Sequence, residues 1–177
     1  MGLWEPALYH AIAARLLGDN TGTGNLCSLL ASTTGSIKAT FPQPAVDPRG
    51  STYPCVTFAC VDESIPDEPF DGRYMEHLLE LRIYVEEQPS DGSESLLTLS
   101  KIKARVLGNW PEKNASTPPD YGLDRWQPDF TGYTGDSATS YSANHIVLDS
   151  GYDATDPGAG IREWVYRFKC RTFLKRS

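Results

Sequence analysis

Glu163-Trp-Val-Tyr-Arg-Phe-Lys-Cys-Arg-Thr-Phe-Leu174 decides the fold class. Successive side chains of a strand point to opposite faces. Trp164, Tyr166, Phe168, Cys170 and Leu174 therefore share one face, and Arg167, Lys169 and Arg171 share the other. The first set suits a core and the second a basic surface. Between residue 162 and the end lie six basic side chains (Arg162, Arg167, Lys169, Arg171, Lys175, Arg176) against one acidic, Glu163, so this segment is +5 in a chain of net −7. Residues 1–161 must then sum to −12. Such a separation suits a basic strand that meets the acidic part of a neighbouring subunit.

Working outward, Tyr74–Glu86 repeats the alternation, with Leu79, Leu81, Ile83 and Val85 against Glu80, Arg82, Tyr84 and Glu86. This is the pattern of an antiparallel sheet covered on one side. Tyr53–Val61 and Ile37–Phe41 read as further strands. Asn144–Leu148 reads as a short strand, followed by an Asp/Gly/Pro turn region over 149–160. Two helices complete the set. Residues 6–17 place Leu8, Ile12 and Leu16 at i, i+4 and i+8 after Pro6, and Gly18 ends the run. Residues 93–107 carry Leu96, Leu99, Lys103, Val106 and Leu107 toward one side, with Gly108 at the C-terminal cap position.

The expected fold is α+β: an antiparallel sheet with two α-helices packed on one face, in a single domain over 1–177. A long irregular loop occupies about 109–142. It is dense in Pro, Gly, Ser and Asp but carries Trp110, Tyr121, Trp126, Phe130, Tyr133 and Tyr141. Long loops of this kind in compact domains are usually functional or disordered; six large aromatics argue against pure disorder, and the segment reads as an extended arm that docks on something.

The remaining composition excludes more than it assigns. No apolar run approaches the roughly 20 residues of a membrane span, and the N-terminus has no signal core. The reading is a soluble protein assembled inside the cell. Cys27, Cys55, Cys60 and Cys170 contain no C-x-x-C pair. Cys55 and Cys60 fall on opposite faces of one strand, so buried thiols are expected, without a disulfide between those two. His10, His77 and His145 form no close pair and show no ligand spacing to the cysteines, so no metal site is expected. No G-x-S-x-G is present. Gly22-Thr-Gly24 lacks the Lys-Ser/Thr of a phosphate loop. Asp62, Glu63, Asp67, Glu68 and Asp71 do not alternate as calcium ligands do. An acidic chain argues against specific nucleic-acid binding, which needs a broad basic footprint. No catalytic residue, cofactor or metal is assigned. Arg162, Arg167, Lys169, Arg171, Trp110, Trp126, Phe130 and Tyr133 are the candidate interface residues.

The order of these elements resembles the tail terminator (tail-completion) family of long-tailed bacteriophages. The resemblance is carried by Ala-Leu-Tyr-His-Ala-Ile-Ala-Ala-Arg-Leu-Leu-Gly (7–18), Tyr-Pro-Cys-Val-Thr-Phe (53–58) and Leu-Glu-Leu-Arg-Ile-Tyr-Val (79–85). It continues in Leu-Leu-Thr-Leu-Ser-Lys-Ile-Lys-Ala-Arg-Val-Leu (96–107) and Trp-Val-Tyr-Arg-Phe-Lys-Cys-Arg-Thr-Phe (164–173). The 109–142 insertion and the 19–36 linker depart from it. The resemblance implies a non-enzymatic virion protein of the tail and neck, assembled in the host cytoplasm. It implies a homohexameric ring that caps the tail tube, stops its polymerisation and offers the head-tail joining surface. The implied partners are other copies of the chain, the tail tube protein, the head connector or stopper, and the sheath where one exists. Alternatives are another neck protein (connector stopper or adaptor) and a small-molecule-binding or enzymatic α+β domain.

Overall fold

A computed structural model describes residues 4–17, 36–39, 53–64, 74–87, 92–108, 122–130, 141–156 and 158–174. The elements are α1 (Trp4–Leu17), β1 (Ser36–Ala39), β2 (Cys55–Ser64), β3 (Tyr74–Glu86), α2 (Gly92–Leu107), β4 (Tyr141–Ala143), β5 (Val147–Asp153) and β6 (Ile161–Leu174). Among the described residues the strands form one sheet in the order β1-β2-β3-β6-β4, with β5 also on β6. β3 and β6 pair over their full lengths, Tyr74 opposite Phe173 through Glu86 opposite Ile161. The α+β class holds. The sheet is not purely antiparallel, because β1 runs parallel to β2.

That register aligns the apolar sides of both long strands: Ile83 faces Trp164, Leu81 faces Tyr166 and Leu79 faces Phe168. Val56 and Phe58 of β2 continue the same face. Ala7, Leu8, Ile12 and Leu16 of α1, together with Leu99, Ile102 and Val106 of α2, close the core on that side. Tyr9 stacks on Phe58 at 5.5 Å between ring centroids, and its hydroxyl accepts the Cys60 N–H. The stripe of α2 is Leu99-Ile102-Val106, at i, i+3 and i+7. Leu96, expected in it, is half exposed, and Lys103 lies with its ammonium 3.1 Å from the centre of the Trp164 ring. Burial pulls the Lys103 pKa down, and Asp153 opposes that shift.

Two strands depart from expectation. β2 runs on through Asp62-Glu63-Ser64, with an irregularity between Cys60 and Asp62. Of the expected strand 144–148, residues 144–146 form a break after β4 and 147–148 open β5, which extends into the Ser150-Gly151-Tyr152-Asp153 segment read as a turn. Gly151 belongs in a strand here for a steric reason. A Cβ at that position would come within 2.8 Å of the Tyr166 ring opposite. No helix among the described residues is long and apolar enough to cross a membrane.

Candidate functional site

The side of the sheet turned away from the helices carries the expected basic row, and it carries the acids that answer it. Glu80 stands directly opposite Arg167, and Glu76 opposite Arg171. Their ion pairs measure 3.1 and 2.8 Å. Arg82 joins Glu80 at 2.5 Å and Glu163 at 2.8 Å. In β5 the irregularity between Leu148 and Ser150 sets Asp149 apart from the ladder, and its carboxylate meets Lys169 at 2.7 Å. Arg167 lies over the Tyr152 ring and Arg171 over that of Tyr74, 5.4 and 5.6 Å from the ring centroids. Four basic and four acidic side chains thus make a neutral ladder.

This corrects the inference from charge separation. Cross-strand pairing is invisible to a running sum along the chain, and the acids that neutralise Arg167, Lys169 and Arg171 come from β3 and β5 of the same molecule. Glu80 is the buried member, with a side chain only 4% exposed. Burial works against the charge on Arg82, but Glu80, Tyr84 and Glu163 outweigh it and push its pKa upward. The exposed pair behaves in the same sense: Lys169 lowers the Asp149 pKa by a hydrogen bond, and Asp149 raises that of Lys169.

Arg162 does not belong to this face. It shares the parity of Trp164, and its guanidinium reaches Ser95 Oγ in the first turns of α2 at 3.3 Å and Glu87 at 2.6 Å. Its role in the structure is to tie helix to sheet.

Trp110 and Tyr133 lie outside the described residues, as do Cys27, Tyr121 and the 18–35 connection. Trp126 and Phe130 are described, and here the reading of a docking arm is corrected for 122–130. Phe130 is buried in the chain's own core, and Trp126 packs against that core. The segment is sewn in by backbone bonds. Leu123 N–H donates to the Val106 carbonyl at 2.8 Å, satisfying an end of α2. Arg125 N–H donates to Ile146 O, and Ile146 N–H donates back to Trp126 O, at 2.6 and 2.7 Å. Arg15 of α1 donates to Gly122 O at 3.2 Å and lies over the Trp126 ring. Gly122 passes so close to Gly108 that an added Cβ would fall 2.0 Å from the Gly108 nitrogen. Gly108 itself takes the left-handed conformation, φ 98°, of the expected helix cap.

Proximity in sequence also missed one cluster. His77 is fully buried on the helix side of β3. Its Nδ1 lies 3.1 Å from Glu63 Oε1 and 3.9 Å from Cys60 Sγ, and its Nε2 lies 2.8 Å from Thr172 Oγ1. Burial lowers the His77 pKa, and Glu63 opposes that shift. The ligand atoms of Cys60, Glu63 and His77 all fall within 4.8 Å of one another. The lack of ligand spacing between histidines and cysteines in the sequence therefore does not keep His77 away from Cys60 in the fold. The histidine comes from the neighbouring strand, a relation that ligand spacing within one segment does not register. As a catalytic relay the arrangement fails, because thiol and carboxylate both address the same ring nitrogen. Cys55 and Cys60 do fall on opposite faces, and none of the described cysteines is in a disulfide.

No family model matches the sequence, and no curated protein matches it. The fold does match a solved structure, a chain of the virion of a native gene transfer agent particle. The identity is 10%, the TM-score is 0.51, and the match covers 98% of this chain and 99% of that one.

Proposed function

We propose that this chain is a structural virion protein that acts as a tail terminator, forming a ring that caps the tail tube and offers the head-joining surface. The observation that carries the proposal is the end-to-end correspondence of its fold with a chain of a gene transfer agent virion. Within that setting, the resemblance of the order of elements, from the α1 segment to the closing strand, supports the terminator reading. Lys169 and Arg171, the more exposed cations of the ladder, would have to exchange their pairs with Asp149 and Glu76 for acids of a neighbouring subunit to take part in the ring. Arg167 is the inner one, held by Glu80. The role requires no bond-making chemistry.

Electron microscopy of the purified protein, alone and mixed with tail tubes, tests this reading. Rings of about six subunits at tube ends are the expected result. A monomer that also fails to join tubes would overturn it. A ring that binds the head connector and ignores tubes would make the protein a stopper or adaptor instead.

A further inference from the structure

We infer that Cys60, Glu63 and His77 form a binding site for a zinc-like divalent metal ion at the end of the β2–β3 hairpin. The inference goes beyond the terminator reading and does not depend on it.

The site owes its existence to one backbone irregularity. In a regular strand, residues three apart point to opposite faces. Here Cys60 pairs with Leu79 and Asp62 with Leu78, so Val61 is an extra residue and the strand changes phase. Glu63 then lands on the same side as Cys60, directly opposite His77 in the register. Bulges of this kind recur where a strand must re-aim a side chain next to a functional site. Without it, Glu63 would face away from the histidine.

The donor set and spacing fit the ion. A tetrahedral zinc with bonds of about 2.0–2.3 Å holds its ligand atoms roughly 3.3–3.7 Å apart. The observed 3.1 Å from nitrogen to oxygen and 3.9 Å from nitrogen to sulfur bracket that spacing, and the three donor atoms, all within 4.8 Å of one another, close on an ion by rotation of the Cys60 and Glu63 side chains. A thiolate, an imidazole and a carboxylate on three corners leave the fourth for water. Thr172, from β6, engages Nε2 and so orients the ring, the support that metal-binding histidines regularly have. The tautomer that donates Nε2–H to Thr172 Oγ1 presents the Nδ1 lone pair to an ion, which would take the place of the present Nδ1 contact with Glu63. On binding, the Cys60 thiol proton passes to solvent, and the single proton of the neutral imidazole sits on Nε2, moving there from Nδ1 if it was shared with Glu63. An entry path exists: Val61 to Ser64 are exposed, and the Glu63 side chain is 27% accessible. The Cys60 thiol donates to the Asp62 carbonyl at 3.3 Å and must leave it to bind the ion. Cys170 stands opposite His77 but is not among the donor atoms gathered with Nδ1 and the Glu63 carboxylate, so it is not counted among the ligands.

Cobalt(II) is the probe, added to the reduced full-length protein. The expected result is one equivalent bound, with a near-ultraviolet thiolate-to-cobalt absorption that one equivalent of zinc abolishes. Cys60→Ser should lose that absorption and Cys170→Ser should keep it. Glu63→Gln, at a partly exposed position, provides a variant whose folding is not at risk, and it should bind at least about tenfold more weakly. Thr172→Val should weaken binding roughly 10–100-fold through ring orientation alone. Zinc at a hundred times its dissociation constant should raise the melting temperature by about 5–10 °C. No absorption in the wild type, or an absorption that survives Cys60→Ser, would overturn the assignment. So would an affinity unchanged by Glu63→Gln.

Discussion

Removing Arg82 and Arg167 together should cost far more stability than removing Glu80, the acid they share. Glu80 is almost wholly withdrawn from water, 4% exposed, whereas Arg82 and Arg167 are 30% and 40% exposed. A buried carboxylate stripped of its partners costs roughly 3–5 kcal/mol. An arginine that loses its acid can turn its head group into solvent while its stem stays packed. Arg82→Met or Arg167→Met alone leaves one guanidinium in place, so each should cost about 1.5 kcal/mol, the low end for a hydrogen bond to a charged group. The double variant should lose about 3–5 kcal/mol, more than the two singles combined. At roughly 2–4 °C per kcal/mol for a chain of this size, its melting temperature should fall by about 6–20 °C. Adding Glu80→Gln to the double variant should recover most of the loss. Thermal and urea melts of the single, double and triple variants measure each quantity. A double variant that melts within a degree of wild type, or a triple no better than the double, would show that Glu80 is not held by these two arginines.

The outer pairs should behave differently: Lys169→Ala with Arg171→Ala should shift stability by at most about 1 kcal/mol, as exposed ion pairs do, while ring or tube-capping activity becomes weak and salt-sensitive. Phe130→Ala should cost about 3–5 kcal/mol, measured by urea unfolding, whereas an arm residue awaiting a partner would cost almost nothing. Gly122→Ala should destabilise the α2 end, and hydrogen exchange should report it as faster exchange at the Leu123 amide. Burial, with Cys60 adding to it, pushes the Cys170 thiol up to about 12; at pH 8 the native protein should leave Cys170 unlabelled by iodoacetamide, and labelling should become complete in denaturant.

What was legible in the sequence was whatever periodicity encodes. Tyr74–Glu86 and the closing strand announce their two faces by alternation, and Leu8, Ile12 and Leu16 announce the buried side of α1. What escaped reading depends on contacts between segments. Gly151 and Asp153 are turn formers by local preference, but the Tyr166 ring across the ladder requires a glycine and overrides that preference. Arg162 looked like one more basic residue until parity and the neighbouring Ser95 and Glu87 placed it with the helices. A net charge of +5 over the last segment was true and misleading, because sheets neutralise charge across strands. Phe130 and Trp126 sit in sequence typical of a loop, and only the hydrogen bonds to Val106 and Ile146 show that their segment is part of the body. The cluster around His77 was hidden by a single extra residue in β2, which no periodic reading anticipates.

The split between β4 and β5 has a consequence for how the molecule avoids the wrong kind of growth. β6 is a fourteen-residue strand, and a continuous partner along it would present an equally long row of open amides and carbonyls, a template for endless sheet extension. Instead the covering strand is cut at 144–146, where the chain turns to bond with 125–126, and is kinked again at Asp149. Among the described residues, this side of the sheet offers an incoming strand the short β4 and the interrupted β5. For a chain proposed to build a closed ring at high local concentration, that matters: closed symmetry must outcompete open-ended stacking. The broken strand lowers the reward for stacking while leaving the face of the sheet untouched.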